Sequence, residues 1–282
     1  MAKRNKGKLN HLERILPEGL LVDAAWLGKK GYSTSLRSQY VSAGWLEQPA
    51  RQVYRRPRGS LGWQQVVISL QTLLGRRLTV GSRTALELEG YSHYLPQRTR
   101  EVHLYGPERP PVWLDHLRTG VQFLYHNSEK LFPTEELPWA GRDLVSTAHR
   151  AHGGHPDFRQ STFLVQPWGQ WDWPLTLSAP ELAVLELLDG LPEHESFEQV
   201  DKLTEGLANL SPHRVQKLLA ACRSVKVKRL FLFFADRHHH AWAKRVRKEN
   251  IDLGNGKRML VKGGKLDPTY QITVPEDLVG LP

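Results

Sequence analysis

The 282 residues carry a formal net charge of +10, and a chain of this length can form two domains with sizeable cores. A hydrophobic fraction of 40% with nine Trp excludes a disordered protein, and the single Cys222 excludes an internal disulfide. Because the longest apolar run, Leu230 to Ala235, is far shorter than the roughly 20 residues that span a bilayer, we expect a cytoplasmic protein without membrane segments.

Positive charge is concentrated in two blocks of the sequence. Residues 1–60 hold 12 Lys/Arg against four Asp/Glu, and residues 222–265 hold 13 against three. Residues 61–221 between them are acidic, with 14 Lys/Arg and 19 Asp/Glu. Clustered basic residues are the electrostatic footprint of phosphate contact, so each block is a candidate nucleic-acid-binding surface.

The first block begins with two predicted helices. Residues 1–8 are basic and lack an apolar period, so they predict a disordered tail. An apolar stripe from Leu9 to Leu16 predicts a first helix, and a second stripe from Leu20 to Leu27 predicts another. Residues 28–31, which begin and end with glycine, form the expected turn before a third helix.

The third predicted helix has clear signals at both ends. Ser33 and Thr34 offer a side-chain oxygen to the free N–H groups of its first turn. Leu36 and Tyr40 repeat at helical spacing and predict one buried stripe. Gly44 stands where a left-handed residue would end the helix.

A basic ribbon follows this helix. Residues 45–47 and 52–55 predict two short strands around a turn at residues 49–50. A short helix followed by such a ribbon is typical of a winged helix-turn-helix, in which the second helix of the pair enters the major groove of DNA. The alternative is another small helical domain with a solvated polar face. The residues expected to contact DNA are Ser35, Arg37, Ser38, Gln39, Ser42, Arg51, Arg55, Arg56 and Arg58.

The sequence predicts a domain boundary close to residue 60. Residues 57–62 are rich in Pro and Gly, and the charge changes sign after them, as expected of a linker. We therefore predict a winged helix-turn-helix domain over residues 1–60 and a larger domain over residues 61–282, with a sub-boundary near residue 178.

The larger domain is predicted to mix helices and strands, which gives an α+β fold class for the whole chain. Predicted helices cover residues 63–74, 84–88, 180–189, 196–209 and 212–223, and predicted strands cover residues 78–80, 101–105, 121–125, 163–165 and 171–177. Residues 225–235 fit either a helix or a buried strand, and their spacing favours a helix. Residues 258–274 predict a hairpin that turns at Gly263 and Gly264.

Several stretches of the larger domain resemble a known protein family. The stretch Leu78 to Leu95, LTVGSRTALELEGYSHYL, resembles the signature of AbiEi-type antitoxins, the antitoxin partners in bacterial type IV toxin–antitoxin systems. Residues 226–234, 252–258 and 270–275 are similar to the C-terminal part of the same family. The resemblance covers nearly the whole chain, in the order of a winged helix followed by a larger domain.

The resemblance implies two activities and two partners. The winged helix would bind repeats in double-stranded DNA of its own promoter and repress transcription, with protomers oligomerising on the DNA. The domain over residues 61–282 would be an antitoxin domain that counteracts a nucleotidyltransferase-like toxin, and a direct complex with the toxin is not required. Three alternatives remain open: a domain that only binds and masks the toxin, an enzyme that reverses the toxin's modification, and a winged-helix regulator without a toxin partner.

No catalytic residue, metal or cofactor is expected. Gly81-Ser82 has the Gly-Ser turn of nucleotidyltransferases, but no Asp-x-Asp strand follows, so a turn or helix cap is expected instead. Three histidines spaced three apart over residues 149–155 are expected in a surface loop, and residues 238–240 at a helix end, rather than as zinc ligands. Residues 251–258 lack a P-loop pattern because Ile251 and Arg258 replace required residues.

The second basic block is predicted to form a patch of its own. Four possibilities remain open for what this patch contacts: DNA beside the operator, the toxin's RNA substrate, an acidic surface of the toxin, or solvent alone. Its members are Lys226, Lys228, Arg229, Lys244, Arg245, Arg247, Lys257 and Arg258.

Overall fold

A computed structural model describes residues 2–91, 99–133 and 162–279 of the chain. The first six elements are α1 Ala2–Ile15, β1 Leu21–Asp23, α2 Ala24–Lys29, α3 Thr34–Ser42, β2 Glu47–Ala50 and β3 Val53–Arg55. The three strands form an antiparallel sheet in the order β1-β3-β2. Helices and strands in this succession form a winged helix, as the sequence predicts.

The predicted disordered tail at residues 1–8 is wrong, because α1 already begins at Ala2. Contacts far along the sequence hold this part of the helix. The ammonium group of Lys8 donates to the carbonyl oxygen of Gly31 at 2.7 Å, and the hydroxyl of Tyr32 donates to the carbonyl oxygen of Lys8 at 2.9 Å. The turn before α3 therefore supports α1, which the local sequence pattern does not reveal.

Two boundaries in the winged helix also differ from the prediction. Leu21–Asp23 is a strand rather than the start of the second helix, and the carboxylate of Asp23 caps α2 by accepting from the Trp26 N–H at 2.7 Å. The wing turns at residues 51–52, where Gln52 has a φ of 64°, rather than at residues 49–50. Leu21 and Val22 are both fully buried, so no polar alternation marks the strand in the sequence.

The rest of the chain forms an α+β unit, which confirms the predicted fold class. Its first elements are α4 Trp63–Thr72, β4 Thr79–Val80, α5 Ser82–Leu88, β5 Glu101–Gly106, β6 Gln122–Asn127, β7 Phe163–Trp168 and β8 Trp173–Ser178. The strands form one mixed sheet in the order β6-β5-β4-β8-β7, with β5 parallel to β6 and β4 parallel to β8.

Four helices and a small hairpin follow the mixed sheet. They are α6 Pro180–Asp189, α7 Phe197–Glu205, α8 Pro212–Ala221, α9 Val225–Arg237, β9 Lys265–Asp267 and β10 Ile272–Val274. The helix favoured over residues 225–235 is thus confirmed. The predicted hairpin exists, but it turns at residues 268–271 instead of at Gly263 and Gly264.

Helix α4 joins the two parts of the molecule. The hydroxyl of its buried Ser69 accepts a hydrogen bond from the Leu21 N–H of β1 at 3.0 Å. The amide of its buried Gln71 exchanges hydrogen bonds with the Thr176 backbone of β8, both at 3.0 Å. Buried residues before and after residue 60 form one continuous core. The domain division at residue 60 stays a prediction, and α4 packs against both sides of it.

The Gly81-Ser82 motif caps α5, as the sequence predicts. The Ser82 N–H and the Ser178 hydroxyl both donate to the carboxylate of Glu186, at 2.9 and 3.0 Å. A Cβ atom at Gly81 would collide with this carboxylate and with the ring of Tyr105. Glycine is therefore required here for close packing around a buried carboxyl group, and no catalytic role is needed to explain the motif.

The buried Glu186 should make stability depend on pH. Burial raises the pKa of its carboxyl group from 4.5 to about 8, although the two hydrogen bonds favour the charged form. Between these values the folded protein holds a proton that the unfolded chain has released, so the free energy of unfolding falls as pH rises. We expect Glu186→Gln to flatten this decline in urea unfolding measured across the window. Glu198→Gln, at an exposed position on α7, is the control, and an equally steep decline in Glu186→Gln would refute the assignment.

Candidate nucleic-acid interface

Helix α3 is fixed in the winged helix by its ends and its buried side. The Ser33 hydroxyl accepts from the Leu36 N–H at 3.4 Å, which satisfies a free donor of the first turn. Leu36 and Tyr40 are buried against the rest of the domain. The chain leaves the helix at Gly44, whose φ of 75° suits glycine. The opposite side of α3 is consequently held toward solvent.

This outward side carries four short polar side chains, which we call the reading face: Ser35, Ser38, Gln39 and Ser42. All four are exposed, as the sequence predicts. Hydroxyl and carboxamide groups both donate and accept hydrogen bonds, which base edges in the major groove require. In a winged helix this is the helix that enters the groove.

Arg37 does not belong to the reading face, although the sequence suggested it. Its guanidinium donates to the carbonyl oxygen of Ala24 at 2.6 Å and to the hydroxyl of Thr34 at 2.8 Å. It also lies over the ring of Tyr54, 5.5 Å from the centroid. Arg37 therefore joins α3 to the start of α2 and to the wing, which removes the basis for its predicted contact with a base.

Arg55 is similarly used inside the wing. It is buried, and its guanidinium donates to the Glu47 carboxylate at 2.5 Å and to the carbonyl oxygen of Gly59 at 2.7 Å. A buried guanidinium with these partners cannot reach a phosphate without breaking them. Its predicted DNA contact is replaced by a role in holding β2, β3 and the following loop together.

Arg56 and Arg58 share a carboxylate partner 38 to 40 residues earlier in the chain. Arg56 donates to Glu18 at 3.0 Å and to the carbonyl oxygens at the end of α1, and Arg58 donates to Glu18 at 2.9 Å. Arg58 also lies 5.5 Å from the ring centroid of Trp171, at the turn between β7 and β8. These two arginines connect α1, the chain after the wing and the larger domain. Arg56 is half-buried by these contacts, which removes the basis for its predicted DNA contact, whereas Arg58 is exposed and its DNA contact stays a prediction.

Arg51 is the other exposed arginine among the five predicted ones, and it lies in the two-residue turn between β2 and β3, at the tip of the wing. Lys29 and Lys30 were not among the predicted contacts, but they are exposed at the end of α2 just before the turn into α3. Trp45, which is 48% exposed between α3 and the wing, was not predicted either. The order of elements in a helix-turn-helix would have suggested the two lysines, because they flank the start of the recognition helix.

The second predicted basic patch divides into buried and exposed members. Lys228 and Arg229 are buried, and the ammonium group of Lys226 donates to the carbonyl oxygens of Asp189 and Leu191 at 2.7 and 2.8 Å. These three therefore do not form a surface patch. The exposed members are Lys244, Arg245, Arg247, Lys257 and Arg258.

Arg229 organises the loop at residues 253–256, within the stretch that lacks a P-loop pattern. Its guanidinium donates to the carbonyl oxygens of Leu253, Gly254, Gly256 and Gln271 at 2.6 to 3.2 Å. The loop thus turns its carbonyl groups inward around one cation. The glycines of the stretch shape this wrapping, with φ of 59° at Gly254 and 76° at Gly256.

The remaining motifs have structural partners where they are described. His238 pairs with Asp201 at 2.8 Å, and the His240 ring nitrogen lies 2.8 Å from the carbonyl oxygen of Thr204. Within residues 2–91, 99–133 and 162–279, no cluster of three or more His, Cys, Asp or Glu could hold a metal ion. The histidines at residues 149–155 lie outside these ranges. The helices in the same ranges are all too short or too polar to cross a membrane.

Comparisons with known proteins agree with this arrangement. A family model described as the N-terminal domain of the AbiEi antitoxin, a transcriptional regulator, matches residues 5–97. A second model, described as a transcriptional regulator, AbiEi antitoxin of a type IV toxin–antitoxin system, matches residues 159–275. No curated protein matches significantly. The crystal structure of the Rv2827c protein from Mycobacterium tuberculosis shares the fold, with a TM-score of 0.52 and 16% identity over 94% of this chain and 88% of that one.

Proposed function

The chain belongs to the AbiEi family of type IV antitoxin transcriptional regulators, and we propose that it represses its own operon by winged-helix binding to promoter repeats. The observation that carries this proposal is the reading face, a row of exposed neutral donors and acceptors on the recognition helix. We further propose that the protein acts in the cytoplasm and oligomerises on the DNA.

In the proposed complex α3 lies in the major groove and the wing tip follows the backbone. Ser38 and Gln39 contact base edges, because both are exposed near the middle of the helix. Arg51, Lys29 and Lys30 neutralise phosphates on either side of the groove, which fixes register without reading sequence. Since three of the predicted arginines, Arg37, Arg55 and Arg56, are engaged in internal contacts, phosphate neutralisation by this domain rests on fewer cations than its net charge suggests.

The second proposed activity is that the larger domain counteracts a nucleotidyltransferase-like toxin. The support is the family match over residues 159–275, which lies outside the winged helix. Direct binding and masking of the toxin is the alternative route to the same outcome. The five exposed cations of the second patch are proposed to contact DNA beside the operator.

The test is a gel shift with DNA from directly upstream of the gene and with unrelated DNA of equal length, over a salt series. We expect binding to the upstream DNA to persist at physiological salt after binding to the unrelated DNA is lost. Equal affinity for both at every salt concentration would overturn autorepression. Growth rescue in cells that express the neighbouring toxin tests the second activity separately, and a toxin that kills equally with and without this protein would overturn it.

A further inference from the structure

A polar cleft in the larger domain is not used by the winged helix. It has a volume of about 820 Å³, within the range of small-molecule sites. It runs along the edge strand β6, from Phe123 to Asn127, and past the end of β5, which is its parallel neighbour. Its other wall is formed by the end of α6, the segment after it and the start of α9. One end of the cleft therefore lies at the carboxyl ends of two parallel strands, a common place for ligand sites.

The imidazole of His126, which lines this cleft, is held in place by two neighbouring rings. His126 Nε2 lies 3.0 Å from Nδ1 of the buried His103, and the Tyr105 ring stacks on His126 with 4.6 Å between centroids. His103 Nε2 in turn lies 3.9 Å from the carboxylate of the buried Glu195. Arg83 pairs with Glu195 and donates to Gln199 at 2.7 Å. A buried polar network of this kind fixes the position of the group at its end, His126.

The network also sets which nitrogens carry protons. Burial lowers the pKa of His103 to about 3 and lowers the pKa of His126, so both rings are neutral at pH 7. The Glu195 carboxylate is 3.9 Å from Nε2 of His103, too far for a hydrogen bond, but its negative charge favours the proton on that nitrogen. We therefore assign Nδ1 of His103 as the acceptor from Nε2–H of His126. Nδ1 of His126 is left as an acceptor, with no hydrogen-bond partner among residues 2–91, 99–133 and 162–279.

The rim of the cleft carries charges of both signs. Arg109 and Lys130 are exposed cations on the strand side, and Asp189 and Glu193 are carboxylates on the opposite side. Lys226 also lines the cleft, but its ammonium group donates to two carbonyl oxygens at and just after the end of α6 and lies 3.7 Å from the Asp189 carboxylate. A matching ligand has an anionic end for the two cations, and hydroxyl or amino donors for the carboxylates and for His126.

We propose that this cleft binds a free nucleotide, with its phosphates at Arg109 and Lys130 and its sugar and base donors toward Asp189, Glu193 and His126. A nucleotide joins phosphates, hydroxyl donors and base amino groups in one molecule of suitable size. A bare polyphosphate would leave Glu193 and the His126 acceptor without donors, and a nucleoside would leave the two cations without an anion. The proposal is independent of the proposed DNA binding, because it involves no residue of the winged helix.

The experiment is calorimetric titration of the full chain with ATP, GTP, CTP and UTP, with tripolyphosphate and adenosine as partial ligands, at physiological salt. At least one nucleotide is expected to bind more tightly than both partial ligands. Lys130→Ala with Arg109→Ala, and separately His126→Phe, should each raise its Kd by about tenfold or more, since each removes hydrogen bonds to the ligand. Lys262→Ala with Lys265→Ala removes two exposed cations elsewhere and should leave the Kd unchanged.

Three results would overturn the proposal. They are the absence of binding by all four nucleotides, equal binding of tripolyphosphate, and an equal loss of affinity in the Lys262 and Lys265 control. If His126→Phe fails to fold, the exposed Lys130 and Arg109 variant decides the outcome, because neither side chain supports the core.

Discussion

Replacing Ser38 and Gln39 together by alanine is expected to abolish specific binding to promoter DNA without unfolding the protein. Both side chains are exposed on α3, and neither makes a hydrogen bond within the described part of the chain. Each lost base contact costs about 1–3 kcal/mol, so the double variant should lose about 100-fold or more in specific affinity. Gel shifts at physiological salt measure this loss, and thermal unfolding checks that the fold is retained.

Arg51→Ala is the matched comparison, because it removes an exposed cation at the wing tip instead of a base contact. It should weaken binding to specific and unrelated DNA alike and reduce the salt slope of log K by about 1. If Arg51→Ala alone removed discrimination while the Ser38 and Gln39 variant kept it, the wing rather than α3 would read the sequence. Arg37→Ala is unsuitable for this comparison, since it removes contacts that position α3.

The recognition helix could be predicted from sequence because its signals are local. The Ser33 cap, the Leu36 and Tyr40 stripe and the glycine at residue 44 all lie within one short stretch, and each has a direct physical meaning. The exposed reading face follows from the same helical period. Its contact with DNA stays a prediction.

The arginines show why the rest of the site could not be predicted. Arg56 and Arg58 meet Glu18 across 38 and 40 residues of sequence, and only the tertiary fold brings them together. In the sequence, an arginine that pairs with a distant glutamate looks the same as one that contacts phosphate. The net charge of a stretch of sequence therefore overestimates how many of its cations are available to DNA, because carboxylates from elsewhere in the fold can pair with those cations.

The same difficulty affects α9, where Lys228 and Arg229 were assigned to a surface patch. The helix packs against several elements, so cations between its apolar residues are buried as well. The guanidinium of Arg229 can be buried because it donates to carbonyl oxygens of a loop about 25 residues later in the chain. No local pattern marks a residue whose partners are backbone groups of another segment.

Arg229→Met is expected to destabilise the protein strongly and to release the loop at residues 253–256. Methionine fills a similar volume, but it removes every donor that satisfies the carbonyl oxygens of Leu253, Gly254 and Gly256. Hydrogen bonds to a charged group are worth about 1.5–3 kcal/mol each, so a total loss on the order of 3 kcal/mol or more is expected. Urea unfolding measures the loss, and limited proteolysis should show new cleavage within the loop.

Arg258→Met is the control for this prediction, because Arg258 carries the same charge, directly follows the loop in the sequence and is exposed. It should unfold at nearly the wild-type urea concentration and keep the loop protected from protease. If Arg229→Met were as stable as Arg258→Met, the loop would be held by its own backbone conformation and not by the guanidinium. Arg229 would then be a buried cation that the fold tolerates without needing it.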